Sequence, residues 1–135
     1  MYQTGVQIRV RYAETDQMGY VYYGNYATYY EVARVEALRS LGFSYKALEQ
    51  MGVGMPVLSL IVNYHAPAKY DDLLTLTVCI PEMPRARIQF NYELKNEQGV
   101  RLNTGSTELV FMNLATGRPV RLPKVMETLL QPHFI

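Results

Sequence analysis

The sequence predicts an α+β domain in which an antiparallel sheet covers one long central helix. Three observations carry this expectation: one long stretch of helical periodicity near the start, four long stretches of strand periodicity after it, and tight turns between the strands. Short turns make antiparallel neighbours. A lone amphipathic helix buries its apolar face only if the sheet covers it. At 135 residues the chain is one domain, residues 1–135, and no linker, repeat or low-complexity tract divides it.

Each element has its own signal. Gln7 to Tyr12 alternates, with Ile8, Val10 and Tyr12 on one side and Gln7, Arg9 and Arg11 on the other, which predicts a half-buried strand. Ala13 to Gly19 breaks the pattern and reads as a loop. From Asn25 to Leu41 the period becomes helical: Tyr26, Tyr30, Ala33, Ala37 and Leu41 share one face, and Glu31, Arg34, Glu36 and Arg39 the other. Gly42 suits a left-handed cap, and Ser44 then starts a shorter helix to Gln50, closed by Gly52. Val57–Tyr64, Leu74–Ile80 and Arg85–Lys95 alternate as strands, separated by turn residues such as Pro81–Pro84 and Asn96–Gly99. In Val100–Met112 the apolar residues move from even positions (Val100, Leu102) to odd ones (Leu109, Phe111), which predicts a β-bulge near Asn103–Gly105. Thr116-Gly117 turns the chain, and Leu122-Pro123 opens a last short helix carrying Val125, Met126, Leu129 and Leu130.

Composition narrows the function. Thirteen basic residues face twelve acidic ones, so no global charge favours nucleic acid or an anionic membrane. The single cysteine, Cys79, excludes an intrachain disulfide, and no apolar run is long enough to cross a bilayer. With a polar N-terminal segment, these features lead to the expectation of a soluble cytoplasmic protein. One cysteine and two scattered histidines, His65 and His133, predict no metal site, and no nucleophile elbow or phosphate-binding glycine loop is present. Six tyrosines lie between Tyr20 and Tyr30, a cluster that suits a pocket wall or an interface as well as a tyrosine-rich core.

The stretch from Arg11 to Tyr26 is the chemical candidate. It sets a carboxylate, Asp16, in a loop seven to nine residues before a helix start. A helix N-terminus offers unpaired N–H groups and partial positive charge, which would stabilise an oxyanion, and a carboxylate beside it could direct water or attack a carbonyl. By residue type alone, Asp16 reads first as an ordinary turn or capping aspartate, the commonest role of aspartate in a loop.

The motif Thr15-Asp16-x-x-Gly19, with Val21-Tyr22, Asn25-Tyr26 and Tyr30-Glu31-x-Ala33-Arg34, resembles the 4-hydroxybenzoyl-CoA thioesterase-like branch of the hotdog superfamily. It is similar also to the acyl-CoA thioesterases associated with the Tol–Pal system. The resemblance continues through Arg87-Ile88-Gln89-Phe90 to Arg121-Leu122-Pro123-Lys124 and so spans nearly the whole chain. It implies a hotdog fold and hydrolysis of an acyl-CoA or acyl-carrier-protein thioester without a cofactor. Asp16 would be the general base or nucleophile, and the Tyr23 N–H the oxyanion donor, joined by the Gly24 amide. Asn25 and Tyr26 would contribute side chains near the substrate, and Arg87 could meet the CoA phosphates. A homodimer or homotetramer with a shared pocket is also implied. Glu31 and Arg34 are expected as a surface or interface pair. One departure stands out: Tol–Pal-type members often carry a histidine where this chain has Tyr23, and a phenol with a reference pKa of about 10 is no substitute as a base near neutrality. Two alternatives remain open, a non-catalytic acyl-CoA-binding protein and, with less support, a hotdog hydratase.

Overall fold

The computed structural model describes residues 1–135. In chain order the elements are β1 (Tyr2–Arg9), α1 (Asn25–Ser40), α2 (Tyr45–Gln50), β2 (Val53–Gly54), β3 (Val57–Tyr64), β4 (Leu73–Ile80), β5 (Arg87–Lys95), β6 (Arg101–Val110), β7 (Met112–Asn113) and α3 (Lys124–Leu130). Five strands form one antiparallel sheet in the order β1-β4-β5-β6-β3, and β2 pairs with β7 in a small second sheet. The buried core lies between α1 and this sheet, and the whole is the hotdog arrangement. No helix is long and apolar enough to cross a membrane.

Period-two burial makes the sheet one-sided. Leu74, Leu76, Val78 and Ile80 on β4, with Ile88, Phe90, Tyr92 and Leu94 on β5, face α1 and are buried. α1 answers with Tyr26, Tyr29, Tyr30, Ala33, Ala37 and Leu38, and the small alanines let the helix sit close to the sheet. The helix ends in a Schellman motif: Gly42 N–H donates to Arg39 O at 2.9 Å and Phe43 N–H to Leu38 O at 3.0 Å. That motif needs a left-handed residue, and Gly42 supplies φ +93°. Ser44 caps α2, its hydroxyl accepting from Ala47 N–H at 3.0 Å.

The bulge in β6 falls within a residue of its predicted place. Leu94 pairs with Asn103 but Lys95 pairs with Arg101, so Leu102 is the extra residue, and Leu102 and Asn103 are both buried. Beyond it Gly105 lies under the Tyr30 ring, where a Cβ would come within 2.6 Å of Tyr30 Cε2 and 2.5 Å of Ile61 O. The Tyr30 hydroxyl donates to Asn103 Oδ1 at 2.6 Å, and its ring stacks on Tyr92 with centroids 4.1 Å apart.

Four expectations need correction. Not every strand is joined to its neighbour by a tight turn: β3 lies at the far edge beside β6, and the chain crosses the sheet through residues 65–72 to begin β4. Tyr12 is 78% exposed rather than facing inward with Ile8 and Val10, because the chain leaves the strand after Arg9 and turns through a 3-10 segment, Tyr12–Glu14. Arg34 is buried rather than a surface partner of Glu31; it packs by the hydroxyls of Tyr45 and Tyr92, and its Nε has no hydrogen-bond partner. The first strand also begins at Tyr2, five residues earlier than its alternation indicated, since Thr4 and Gly5 weaken the pattern while still pairing with β4.

Candidate active site

The segment between β1 and α1 forms a tight loop. Asp16 N–H donates to Tyr20 O at 2.8 Å, and Gly19 N–H donates to Asp16 O at 3.0 Å. The Asp16 side chain takes part through one oxygen: Oδ1 accepts from Met18 N–H at 2.9 Å and Tyr20 N–H at 3.3 Å. Such Asx geometry is the ordinary use of a loop aspartate. The other oxygen, Oδ2, has no hydrogen-bond partner in the chain, so a lone-pair-bearing atom of a positioned carboxylate is left for something else.

The helix start complements it. Asn25 N–H donates to Tyr22 O at 2.9 Å and Tyr26 N–H to Tyr23 O at 3.2 Å, whereas the N–H groups of Tyr23 and Gly24 donate to no acceptor. Gly24 is the N-cap, already with helical φ and ψ, and a Cβ there would lie 2.9 Å from the Tyr22 ring. Asn25 is the first residue of the helix rather than its cap, and its Nδ2 donates to Glu14 O at 2.9 Å.

A cleft of about 450 Å³ opens beside these groups, lined by Asp16, Tyr20, Tyr23, Tyr26, Tyr64, His65 and Pro67, with the Tyr26 and Tyr64 ring centroids 5.7 Å apart. Its wall is mostly apolar, as small-molecule sites are. Tyr26 is buried in that wall and its hydroxyl accepts from Ala68 N–H at 3.2 Å. Burial raises its phenol above the ordinary range, and the carboxylates of Asp16 and Asp72 push the same way. The tyrosine cluster thus divides: Tyr29 and Tyr30 are core, Tyr20 and Tyr23 are cleft wall, and Tyr26 is both.

Glu14 is a buried carboxylate two residues before Asp16. Its Oε1 accepts from Arg11 N–H and Tyr29 OH, each at 2.9 Å, and its Oε2 from the Arg11 guanidinium at 3.0 Å. Burial alone would raise this carboxyl, but those donors outweigh it and hold it below the usual glutamate range. The same partnership, with burial first, pushes the Tyr29 phenol well up.

Of the residues picked from sequence, Asp16, Tyr23 and Tyr26 line this cleft, and Gly24 and Asn25 lie between the last two at the start of α1. Arg87 is not among them: it lies at the start of β5, lines a separate depression with Glu82 and Gln89, and pairs with Glu108 at 2.8 Å. Sequence reasoning missed Glu14 and the Tyr64–Pro67 wall, including His65. The wall follows the crossing of β3 to the far edge, which no local periodicity encodes. The only hint was an aromatic-imidazole pair, Tyr64-His65, directly before Ala66-Pro67.

Residues 10–130 match the thioesterase-like superfamily. The chain belongs to it. Over 87% of each chain it is 35% identical to the acyl-CoA thioester hydrolase YbgC of Escherichia coli O157:H7. The acyl-CoA thioesterase YbgC of Haemophilus influenzae is 33% identical over 87% of this chain and 86% of its own. Among solved structures, the DHNA-CoA thioesterase of Staphylococcus aureus superposes with a TM-score of 0.91 at 38% identity, covering 98% of this chain and 89% of that one. A 4-hydroxybenzoyl-CoA thioesterase, at 22% identity and a TM-score of 0.85 over 96% of this chain and 99% of that one, shares the fold. This thioesterase is therefore a hydrolase of thioesters with the hotdog fold. For such a reaction the cleft offers a free carboxylate oxygen, unpaired backbone donors and an apolar wall.

Proposed function

We propose that the protein hydrolyses an acyl-CoA or acyl-carrier-protein thioester at the Asp16 cleft. The observation that carries this is the pairing, at one cleft, of an unengaged Asp16 Oδ2 with the unengaged N–H groups of Tyr23 and Gly24. The thioester carbonyl oxygen accepts from those two N–H groups, where the start of α1 adds partial positive charge as the oxyanion develops. Asp16 Oδ2 takes a proton from water as the water oxygen bonds to the carbonyl carbon. The tetrahedral intermediate then collapses, the C–S bond breaks, and the proton returns from Asp16 to the departing thiolate. Attack by Asp16 itself through a mixed anhydride is the alternative course, and solvent ¹⁸O enters Asp16 after one turnover when water opens that anhydride at the Asp16 carbonyl. Tyr23 acts through its backbone. Asn25 and Tyr26 shape the site, and Arg87 is the side chain proposed to meet the CoA phosphates, in exchange for Glu108.

We propose also that two copies associate through β3. This edge strand exposes Val57, Leu58, Leu60, Ile61 and Tyr64, each 45–56% accessible, and a long apolar edge is what a second strand covers. Tyr64 belongs both to that edge and to the cleft, so association would complete the cleft wall.

The test is thiol release from a panel of short, long and aromatic acyl-CoAs and an acyl carrier protein ester, with wild type and Asp16→Asn in parallel. A loss of at least about a hundredfold in kcat supports the assignment, in line with removal of a positioned acid–base group. Unchanged turnover removes Asp16 from the chemistry. Acyl-CoA binding with no turnover in the panel favours a binding protein, a reading in which the Oδ1 turn contacts are the whole role of Asp16.

A further inference from the structure

Five hydrogen bonds converge on Glu14. Three reach its carboxylate, from the Arg11 N–H, the Arg11 guanidinium and the Tyr29 hydroxyl. Two reach its backbone carbonyl, from Tyr22 N–H at 2.9 Å and Asn25 Nδ2 at 2.9 Å. The donors come from two separate segments. Arg11 precedes the Asp16 loop, whereas Tyr22, Asn25 and Tyr29 belong to the approach to α1 and its first two turns. Glu14 thus joins the turn before Asp16 directly to the first turns of α1, beside the Thr15–Val21 bridge and the Asp16–Tyr20 bonds that close the loop itself.

We propose that Glu14 is a positioning residue for the hydrolysis, setting the separation between the Asp16 carboxylate and the Tyr23 and Gly24 amides. This rests on the function proposed above. A burial requirement alone does not explain a carboxylate here, since removing a charge from water costs stability and an apolar side chain would fill the space more cheaply. A carboxylate instead supplies two acceptors in fixed directions. Catalysis by prepaid geometry is sensitive to such placement, because an error of about 1 Å can cost about a hundredfold in rate. Tyr29 carries the constraint into the helix, so the first two turns of α1 and the Asp16 loop move as one body.

The arrangement makes a specific forecast about substitutions. Oε1 accepts from both the Arg11 amide and Tyr29, while Oε2 serves only the exposed Arg11 guanidinium. Glu14→Gln keeps the Oε1 role and loses only the ion pair, whereas Glu14→Ala loses both. Tyr29→Phe removes one bond and keeps the ring. Measured on the best acyl-CoA of the panel, Glu14→Ala should lower kcat at least about tenfold with KM within about threefold, Glu14→Gln should recover most of it, and Tyr29→Phe should fall between. Thermal unfolding identifies any variant that fails to fold, and Tyr29→Phe and Glu14→Gln keep the comparison available if Glu14→Ala does. A folded Glu14→Ala with kcat within threefold of wild type overturns the proposal, as does a Gln variant no better than Ala. If only the Gln and Phe variants fold, kcat for Tyr29→Phe equal to wild type overturns it. Asp16→Asn, run beside them, separates the two ideas: an inactive Asp16→Asn with fully active Glu14 variants sinks the positioning role alone. A fully active Asp16→Asn sinks the hydrolytic role of Asp16 and with it the reason for positioning it.

Discussion

Replacing Gly105 with alanine tests how closely α1 is seated on the sheet. The new Cβ would lie 2.5 Å from Ile61 O and 2.6–2.7 Å from Cε2 and the hydroxyl of Tyr30. Ile61 O belongs to the paired neighbour β3 and moves only with its strand, so the relief has to come from Tyr30 and from the backbone. Overpacking of this kind costs about 1–3 kcal/mol. Displacing Tyr30 also breaks its bond to Asn103 Oδ1, and Asn103 Nδ2 already lacks a partner, so the amide is left buried and unpaired at about 1–3 kcal/mol more. The sum of about 2–6 kcal/mol is a large share of the roughly 5–15 kcal/mol by which domains are stable. With an unfolding entropy near 2.1 cal/mol/K per residue, a 135-residue chain loses about 3–4 °C of Tm per kcal/mol, which gives a fall of about 7–20 °C. Differential scanning calorimetry measures it, with Gly5→Ala as control. There a Cβ meets only Leu76 O at 3.6 Å, an ordinary contact, so little change is expected. A Gly105→Ala Tm within about 3 °C of the Gly5→Ala value would refute the claim that Tyr30 is pressed against the backbone here.

Tyr30→Phe, which keeps the stack on Tyr92 but strands Asn103, should cost about 1–3 kcal/mol in urea unfolding with an unchanged m-value. Glu14 is held below its unfolded value, so the stability it contributes is complete above the ordinary glutamate pKa of about 4.3 and is lost as pH falls through the lower folded value. The Tm of wild type should therefore approach that of Glu14→Gln as pH drops below about 4, and a constant gap down to pH 2 would contradict the assignment. For Tyr26, Tyr29 and Tyr30 the shift is upward because burial disfavours the phenolate, so their contribution is complete below about pH 10 and is lost as pH rises through the higher folded values. Spectrophotometric titration should show these phenols ionising only as the protein unfolds. Ile61→Asp, on the exposed β3 edge, should give a monomer in sedimentation experiments if copies pair there, and an unchanged sedimentation coefficient would remove β3 as the interface.

Periodicity alone determined α1, the inward faces of β4 and β5, and the bulge in β6, because each depends on neighbours two to four residues away. The left-handed ends of the helices were equally legible, since Gly42 has the one conformation its Schellman motif needs. Asp16 stood out by its place between a strand and a helix, and the resemblance then supplied a role that residue type alone left open. Tertiary structure decided the rest. β3 alternates like any buried strand, yet it is exposed on both faces, because the order β1-β4-β5-β6-β3 makes it an edge. Arg34 sits on the helix face that local spacing marked as polar, but α2 and β5 close over it with Tyr45 and Tyr92. Glu14 looked like one more loop acid until the fold brought Tyr29, fifteen residues on, to its carboxylate. His65 came to line the Asp16 cleft because the segment after β3 runs back against Tyr20 and Val21 through Ala68 and Lys69. Burial and hydrogen-bond partners are properties of distant segments meeting, and a window of local sequence contains only one side of each meeting.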